Sequence, residues 1–160
     1  MKKILLSGFL LFSLFGMSIQ GMPTPEAAAE LLDGIEMPQE WTEYKTVDGV
    51  KIEYKMKECM SDKMRASNLL LFRYTNTTDQ ELTISWVTKV FRNGECVNCS
   101  SLDSPEHAFS LTIPAGGLIE GDGSSLNDRE LYIFGNFVKL VPGMTDQRLT
   151  NFELIDLKVQ

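Results

Sequence analysis

The stretch Val50-Lys51-Ile52-Glu53-Tyr54-Lys55-Met56-Lys57 decides the fold class of this 160-residue chain. Its apolar residues occupy every second position, and the residues between them are charged. Because successive side chains of a β-strand point to opposite faces, this alternation predicts a strand with one buried and one solvated face. Asp48-Gly49 precedes it and predicts a tight hairpin with residues 41–47, since glycine tolerates the positive φ that such turns need.

The rest of the chain repeats this pattern in short runs separated by turn residues. Residues 68–75 are apolar on both faces near their start, which is typical of a central strand. Further strands are predicted at residues 82–91, 107–113, 118–121, 130–140 and 149–159. Each strand has an apolar face to cover, so the predicted all-β fold is an antiparallel immunoglobulin-like β-sandwich of about 7–8 strands. A closed barrel is the alternative.

The first 20 residues have the composition of a secretory signal peptide. Lys2 and Lys3 precede an apolar run at residues 4–17, and small and polar residues follow. This run is shorter than the roughly 20 residues that a transmembrane helix needs, so no permanent membrane span is expected after cleavage. We predict cleavage within residues 18–22 and a periplasmic or secreted mature protein of bacterial type.

The expected mature chain has two parts. Residues 21–40 form a lead-in with one short helix, which begins near Thr24-Pro25 and ends at Gly34. Residues 41–160 form the sandwich domain. Loss of the two N-terminal lysines changes the net charge from −7 to −9. An acidic protein cannot release counterions from nucleic acid or anionic lipid, so neither is expected as a partner.

Alternating strand directions predict which loops share an end of the sandwich. Three loops are expected at one end, here named the upper end: residues 59–66, 93–106 and 122–129. The opposite, lower end receives residues 77–80, 114–117 and 141–148. All three cysteines and the only histidine, His107, are then expected at the upper end. Binding residues concentrate on the loops of a rigid sandwich, so we predict the functional surface at this end.

The three cysteines, Cys59, Cys96 and Cys99, are candidates for one disulfide in an exported chain. We favour Cys59 joined to Cys96 or Cys99, because that bridge closes a loop of about 40 residues and stabilises by about 3–4 kcal/mol. A small ring within Cys96-Val97-Asn98-Cys99 is the alternative. Together with His107 the cysteines are also acceptable zinc ligands, although a metal site is not favoured.

Acidic residues in the upper loops are the candidates for a binding surface. They are Asp103, Glu106, Asp122 and Asp128. The segment around Asp122 and Asp128 has oxygen ligands that could hold Ca²⁺ but lacks the spacing of an EF-hand loop, which favours a solvated turn. His107 follows Glu106, yet no nucleophile motif is near, so a structural role is favoured over that of a catalytic base.

Several strings give the chain a loose resemblance over residues 50–159. They are Leu69-Leu70-Leu71-Phe72-Arg73-Tyr74-Thr75-Asn76, Phe91-Arg92-Asn93-Gly94-Glu95-Cys96, Ile113-Pro114-Ala115-Gly116-Gly117 and Asn151-Phe152-Glu153-Leu154, together with the first strand quoted above. The chain resembles small uncharacterised exported β-sandwich proteins of Bacteroidota. The resemblance implies no activity, and it implies a further cysteine where Gly123 stands here.

The sequence therefore predicts a non-catalytic binding or interaction module of the bacterial envelope, whose partner is a protein, a glycan or an ion. No cofactor is predicted. The alternative is a metal-binding or thiol-redox protein centred on Cys59, Cys96, Cys99 and His107. We favour the first, because no set of nucleophile, base and orienting group can be assembled from the sequence.

Overall fold

A computed structural model of the chain describes residues 37–61, 64–125 and 127–160, and the expected signal peptide and short helix lie outside these residues. The described chain is all-β. Its strands are β1 (Thr42–Val47), β2 (Val50–Ser61), β3 (Met64–Asn76), β4 (Leu82–Arg92), β5 (Glu95–Cys96), β6 (Ala108–Ile113), β7 (Leu118–Glu120), β8 (Tyr132–Phe137) and β9 (Leu149–Val159). Three short 3-10 turns accompany them, at Cys99–Ser101, Pro105–His107 and Arg129–Leu131.

The strands form two antiparallel sheets, as a β-sandwich requires. In the first sheet β1, β2 and β3 are neighbours in that order, and β7 and β8 both pair with β3. In the second sheet β4 is central, with β9 along one edge and β6 and β5 along the other. The hydrophobic core lies between the sheets and contains buried side chains from both, among them Ile52, Phe72, Trp86 and Phe152.

The strand that decided the fold class has the predicted apolar face, whereas Glu53 on its predicted solvated face is buried. Val50 and Ile52 are fully buried in the core, and Tyr54 and Met56 pack against it. The turn before β2 is the predicted tight hairpin, with positive φ at both Asp48 (44°) and Gly49 (87°). This conformation matches the right-handed twist of the paired strands, which is why it joins β1 to β2 in two residues.

Strand β3 is buried on both faces, as its sequence predicts. Leu70 and Phe72 belong to the core between the sheets. Leu69 and Leu71 point to the opposite, outer face of the first sheet, where they form a second buried cluster with Cys59. Trp41, Tyr132 and Phe134 pack against that cluster and cover it.

Strands β7 and β8 correct the predicted order of strand directions. Both are antiparallel to β3, so they run in the same direction along one edge, with Leu118 opposite Thr75 and Tyr132 opposite Leu71. Between them the Gly121 N–H donates to the Phe72 carbonyl at 2.9 Å, and the chain then leaves the ladder until residue 132. β7 and β8 are therefore one edge strand interrupted by a long excursion, and they do not reverse direction.

The loop positions change accordingly. Residues 122–129 leave the edge part-way along β3, and Gly123 then lies beside Cys59 on the outer face of the first sheet. Residues 141–148 were expected at the lower end, but the Asn93 N–H donates to the Arg148 carbonyl at 3.0 Å, which places this loop beside the upper turn between β4 and β5. The lower end does contain the turns at 77–80 and 114–117, where the Gly116 N–H donates to the Thr78 carbonyl at 2.8 Å.

The outer face of β2 and β3 carries a buried carboxylate. Glu53 is only 6% exposed, and its carboxylate accepts a hydrogen bond from Arg73 Nε at 2.8 Å and pairs with Lys51 Nζ at 3.0 Å. The Arg73 guanidinium also lies 4.5 Å from the centre of the Trp41 ring. The hydrogen bond from Arg73, and then that from Lys51, hold the pKa of Glu53 below its ordinary value of 4.5, against the opposing effect of burial.

Glu53→Gln is expected to lower the free energy of unfolding by about 1–2 kcal/mol at pH 7. Because the folded pKa lies below the unfolded one, the ionised carboxylate stabilises the fold above pH about 4.5, and this contribution is lost as the pH falls through the folded pKa. Urea unfolding of both proteins at several pH values tests this. The difference should shrink below pH about 4.5, and a difference that stays constant down to pH 3 would contradict the assignment. Glu153→Gln, which removes a half-buried pair with Lys89 that is more exposed than Glu53, is the control and should change stability less.

Candidate functional site

An open cavity lies between the two sheets along the side formed by β6 and β8; we call it the cleft. Its volume is about 270 Å³. Its inner wall is apolar and consists mainly of Phe72, Trp86, Val90, Phe109 and Ile133. These side chains line the cleft because β3, β4, β6 and β8 direct alternate residues between the sheets, and no strand bridges β6 and β8 in the described chain.

The mouth of the cleft is charged on both sides. Glu106 and His107 belong to the 3-10 turn that leads into β6, and Arg129 and Glu130 belong to the turn that leads into β8. The two turns come from different sheets and are brought together only by the packing of the sandwich. Of the predicted site residues, the structure therefore brings Glu106 and His107 to the cleft. Arg129 and Glu130 were not among the predicted residues.

The His107 ring contacts a hydroxyl and a carboxylate. Ser101 Oγ lies 3.3 Å from His107 Nε2, and Glu106 Oε1 lies 3.4 Å from the same nitrogen. In a catalytic triad the acid binds the ring nitrogen opposite the one that faces the hydroxyl, so that it orients the imidazole as a base. Here both groups compete for Nε2. The geometry is that of a ring tethered at the mouth of a cavity, and it does not orient His107 as a general base.

The cysteine pairing differs from the favoured prediction. Cys96 and Cys99 form a disulfide, with an S–S distance of 1.97 Å, and Cys59 is a buried free thiol. The expected bridge from Cys59 to Cys96 or Cys99 is wrong. The physical reason is that Cys59 points to the outer face of the first sheet, into the cluster with Leu69, whereas the other two cysteines lie at the edge of the second sheet. The alternative reading, a small ring, is correct.

The ring holds Asn98 against the central strand of the second sheet. Asn98 is 6% exposed; its Nδ2 donates to the Thr88 carbonyl at 2.8 Å, and its Oδ1 accepts from the Val90 N–H at 2.9 Å. The carboxamide thus pairs with the β4 edge as a neighbouring strand would. Because Thr88 and Val90 also line the cleft, the ring secures the strand that forms its inner wall.

The four residues of the alternative metal or redox site do not come together. Within residues 37–61, 64–125 and 127–160, the structure contains no group of three or more His, Cys, Asp or Glu side chains that could hold a metal ion. Cys59 is 7% exposed, and burial raises the pKa of its thiol. A buried thiol with a raised pKa is a poor nucleophile and a poor ligand at neutral pH.

The thiols should react in two stages. We expect the non-reduced protein to resist alkylation while it is folded, to take up one alkyl group when it is unfolded, and to take up three after reduction, since only Cys59 is free and it is buried. Intact mass measured after each treatment tests this. Uptake of three groups without reduction would show that Cys96 and Cys99 are not joined.

The remaining predicted site residues are not among those that line the cleft. Asp122 and Asp128 line a smaller polar pocket of about 140 Å³ beside Glu120, on the excursion between β7 and β8. The Asp122 carboxylate accepts a hydrogen bond from the Ser124 N–H at 2.7 Å; hydrogen bonds from Ser124 lower its pKa. The Asp122 carboxylate is thus paired within its own turn. Asp103 is exposed in the turn between the 3-10 segments.

The sequence did not identify Arg129, Glu130 and Thr88 as cleft residues, and the reason is the same for all three. Arg129 was predicted as the last residue of the loop at 122–129 and Glu130 as the first residue of the strand at 130–140, and Thr88 was not singled out. Thr88 is buried, and its hydroxyl accepts a hydrogen bond from the Trp86 indole N–H at 3.1 Å. A period-2 pattern assigns faces but does not show which faces of two separate sheets meet.

In the described part of the chain, no helix is long and apolar enough to cross a membrane. No family model matches the sequence, and no curated protein and no solved structure is significantly similar to it.

Proposed function

We propose that this protein is an exported, non-catalytic binding module of the bacterial envelope, and that the cleft is its binding site. The observation that carries the proposal is an apolar cavity of about 270 Å³ with charged groups at its mouth. Pockets that bind small molecules have this composition: apolar walls that supply affinity, and a few polar groups that orient the ligand. The tethered geometry of His107 supports binding over catalysis.

The proposal includes an immunoglobulin-like arrangement of the sandwich and export through a cleaved signal peptide. Two packed antiparallel sheets support the first, and the charged start and apolar run of residues 1–20 support the second. Export is tested by N-terminal sequencing of the protein recovered from the periplasm or medium. Processing within residues 18–22 is expected, and a protein that keeps Met1 would contradict export by this route.

Native mass spectrometry tests the binding site. The protein is incubated with the small-molecule fraction of an envelope extract, desalted, and weighed intact. We expect the unaltered protein to retain a small molecule and Val90→Phe to lose it, because the larger side chain fills the cleft. Val97→Phe is the matched control, since Val97 is 54% exposed and does not line the cleft.

A second cleft-filling variant shows whether loss of binding comes from the filled cleft or from misfolding of Val90→Phe. Phe109→Trp is expected to fill the cleft from β6, without a substitution in β4. Loss of the retained molecule in both variants, with circular dichroism unchanged, supports the proposal. The proposal fails if the unaltered protein retains nothing, or if both variants retain the same molecule as the control.

A further inference from the structure

We infer that the ligand of the cleft is a small molecule with an apolar, ring-sized body and a protonated amine. This inference rests on the proposed function and specifies the chemistry of its site. It is carried by two separate features of the structure: an inner wall whose polar atoms are already paired, and a mouth where carboxylates outnumber cations.

The inner wall selects an apolar body. Trp86 and Thr88 bond to each other through the indole N–H and the hydroxyl oxygen. Tyr132, which also lines the cleft, packs against the outer-face cluster and has a partner of its own. The Thr88 carbonyl accepts from Asn98. A polar group placed deep in the cleft would therefore lose its hydrogen bonds to water without regaining them all, whereas an apolar group gains by leaving water.

The mouth carries an unpaired carboxylate. Glu130 is half-buried, and no side chain in the described residues forms a hydrogen bond or ion pair with its carboxylate. The other carboxylate, Glu106, lies 3.4 Å from His107 Nε2 and forms no ion pair with another of the described residues. Burial, and in addition the negative charge of Glu130, raise the pKa of the nearby Tyr74 hydroxyl. The negative charge of Glu130 therefore acts on the interior and not only on solvent.

The single guanidinium at the mouth does not cancel these charges. Arg129 is exposed and forms no ion pair with another described residue. Two carboxylates against one guanidinium leave the mouth negative, and the chain as a whole has a net charge of −7. An ammonium group that reaches the mouth while its apolar body fills the cleft would meet Glu130 in partly desolvated surroundings, where attraction is stronger than in bulk water.

Three probes of one shape test the charge preference. Phenethylamine, phenethyl alcohol and 3-phenylpropionate share a phenyl ring on a two-carbon chain and differ in the charge of the terminal group. Each is titrated into the protein at low salt, and the indole N–H signal of Trp86 reports binding in NMR spectra. We expect the amine to bind about fivefold more tightly than the alcohol, and the carboxylate to bind more weakly than either.

Charge variants at the mouth provide the controls. Glu130→Gln should remove most of the advantage of the amine over the alcohol. Arg129→Gln, next to it in the chain, should raise the affinity for the amine. The side chain of Glu130 has no described partner, so the fold should tolerate its loss; Glu106→Gln is a second variant expected to act in the same direction.

The outcomes separate this inference from the proposed function. Equal affinities for the three probes, or tightest binding of the carboxylate, would overturn the inference while leaving the cleft as a binding site. Failure of all three probes to shift the Trp86 signal would also overturn it, and the retention of envelope molecules by native mass spectrometry would then decide the proposed function by itself. The expected order of affinities, flattened by Glu130→Gln, supports it.

Discussion

Asn76→Ala is expected to lower the free energy of unfolding by about 4 kcal/mol, a large part of the stability of an ordinary domain. Asn76 is 1% exposed at the lower end of the sandwich. Its Nδ2 donates to the carbonyls of Gln80 at 2.7 Å, Ile113 at 3.1 Å and Pro114 at 3.0 Å. Its Oδ1 accepts from the N–H and the hydroxyl of Thr78 at 2.9 and 2.8 Å.

These bonds join the two sheets. The turn after β3 and the turn after β6 both depend on the same carboxamide, so its removal leaves several buried polar groups without a partner and also creates a cavity. Urea unfolding measures the effect. Asn127→Ala is the control, because Asn127 is exposed and its side chain takes part in no described hydrogen bond; it should change stability by less than about 0.5 kcal/mol. A loss of less than about 1 kcal/mol for Asn76→Ala would contradict the role assigned to this residue.

Gly123→Cys is expected to form a second disulfide, with Cys59, and to raise the free energy of unfolding. A Cβ on Gly123 would contact the Cys59 Sγ and lie 3.3 Å from the Cys59 Cβ, close to the separation of about 3.5–4.5 Å found in disulfides. The bridge closes a loop of about 65 residues, for which chain entropy gives about 4 kcal/mol.

Strain reduces this gain. Gly123 has a φ of 78°, which costs a side chain about 1–2 kcal/mol, so the oxidised variant should be about 2–3 kcal/mol more stable than the unaltered protein. Gly123→Ser is the matched control: it has the same strain and crowding without the bond, and should be less stable than the unaltered protein. Thiol titration after unfolding should find no free thiol in the oxidised Gly123→Cys protein. Two free thiols there would show that the excursion between β7 and β8 does not hold position 123 over Cys59.

The same excursion shows why part of the fold was not readable from the sequence. Residues 118–121 and 130–140 have the pattern of two strands, and two consecutive strands of an antiparallel sheet ordinarily reverse direction. Here Gly121 continues the ladder on Phe72, and the chain rejoins the same edge at Tyr132. Nothing local distinguishes a reversal from an excursion, because both need only a polar loop of similar length.

The sequence predicted only part of the candidate site, because residue type is visible in the sequence and tertiary packing is not. Glu106 and His107 stood out by residue type, whereas Glu130 and Thr88 gain their significance only from what packs beside them. For the cysteines, the sequence gives their number, and the spacing of Cys96 and Cys99 indicates that a small disulfide ring is possible. The choice of partner depended on the face of β2 to which Cys59 points, and hence on which sheet that strand joins.

The sequence by itself determined the local structure: the alternation of Val50, Ile52, Tyr54 and Met56, the hairpin at Asp48-Gly49, and the doubly buried β3 all follow from side-chain period and turn chemistry. Only the tertiary structure decided which strand edges meet, which cysteines join, and where the sheets leave an apolar cleft. The physical reason is the sequence separation over which each kind of interaction acts. Period and turn residues act within a few positions of the chain, whereas the cleft and its charged mouth arise from contacts between residues tens of positions apart.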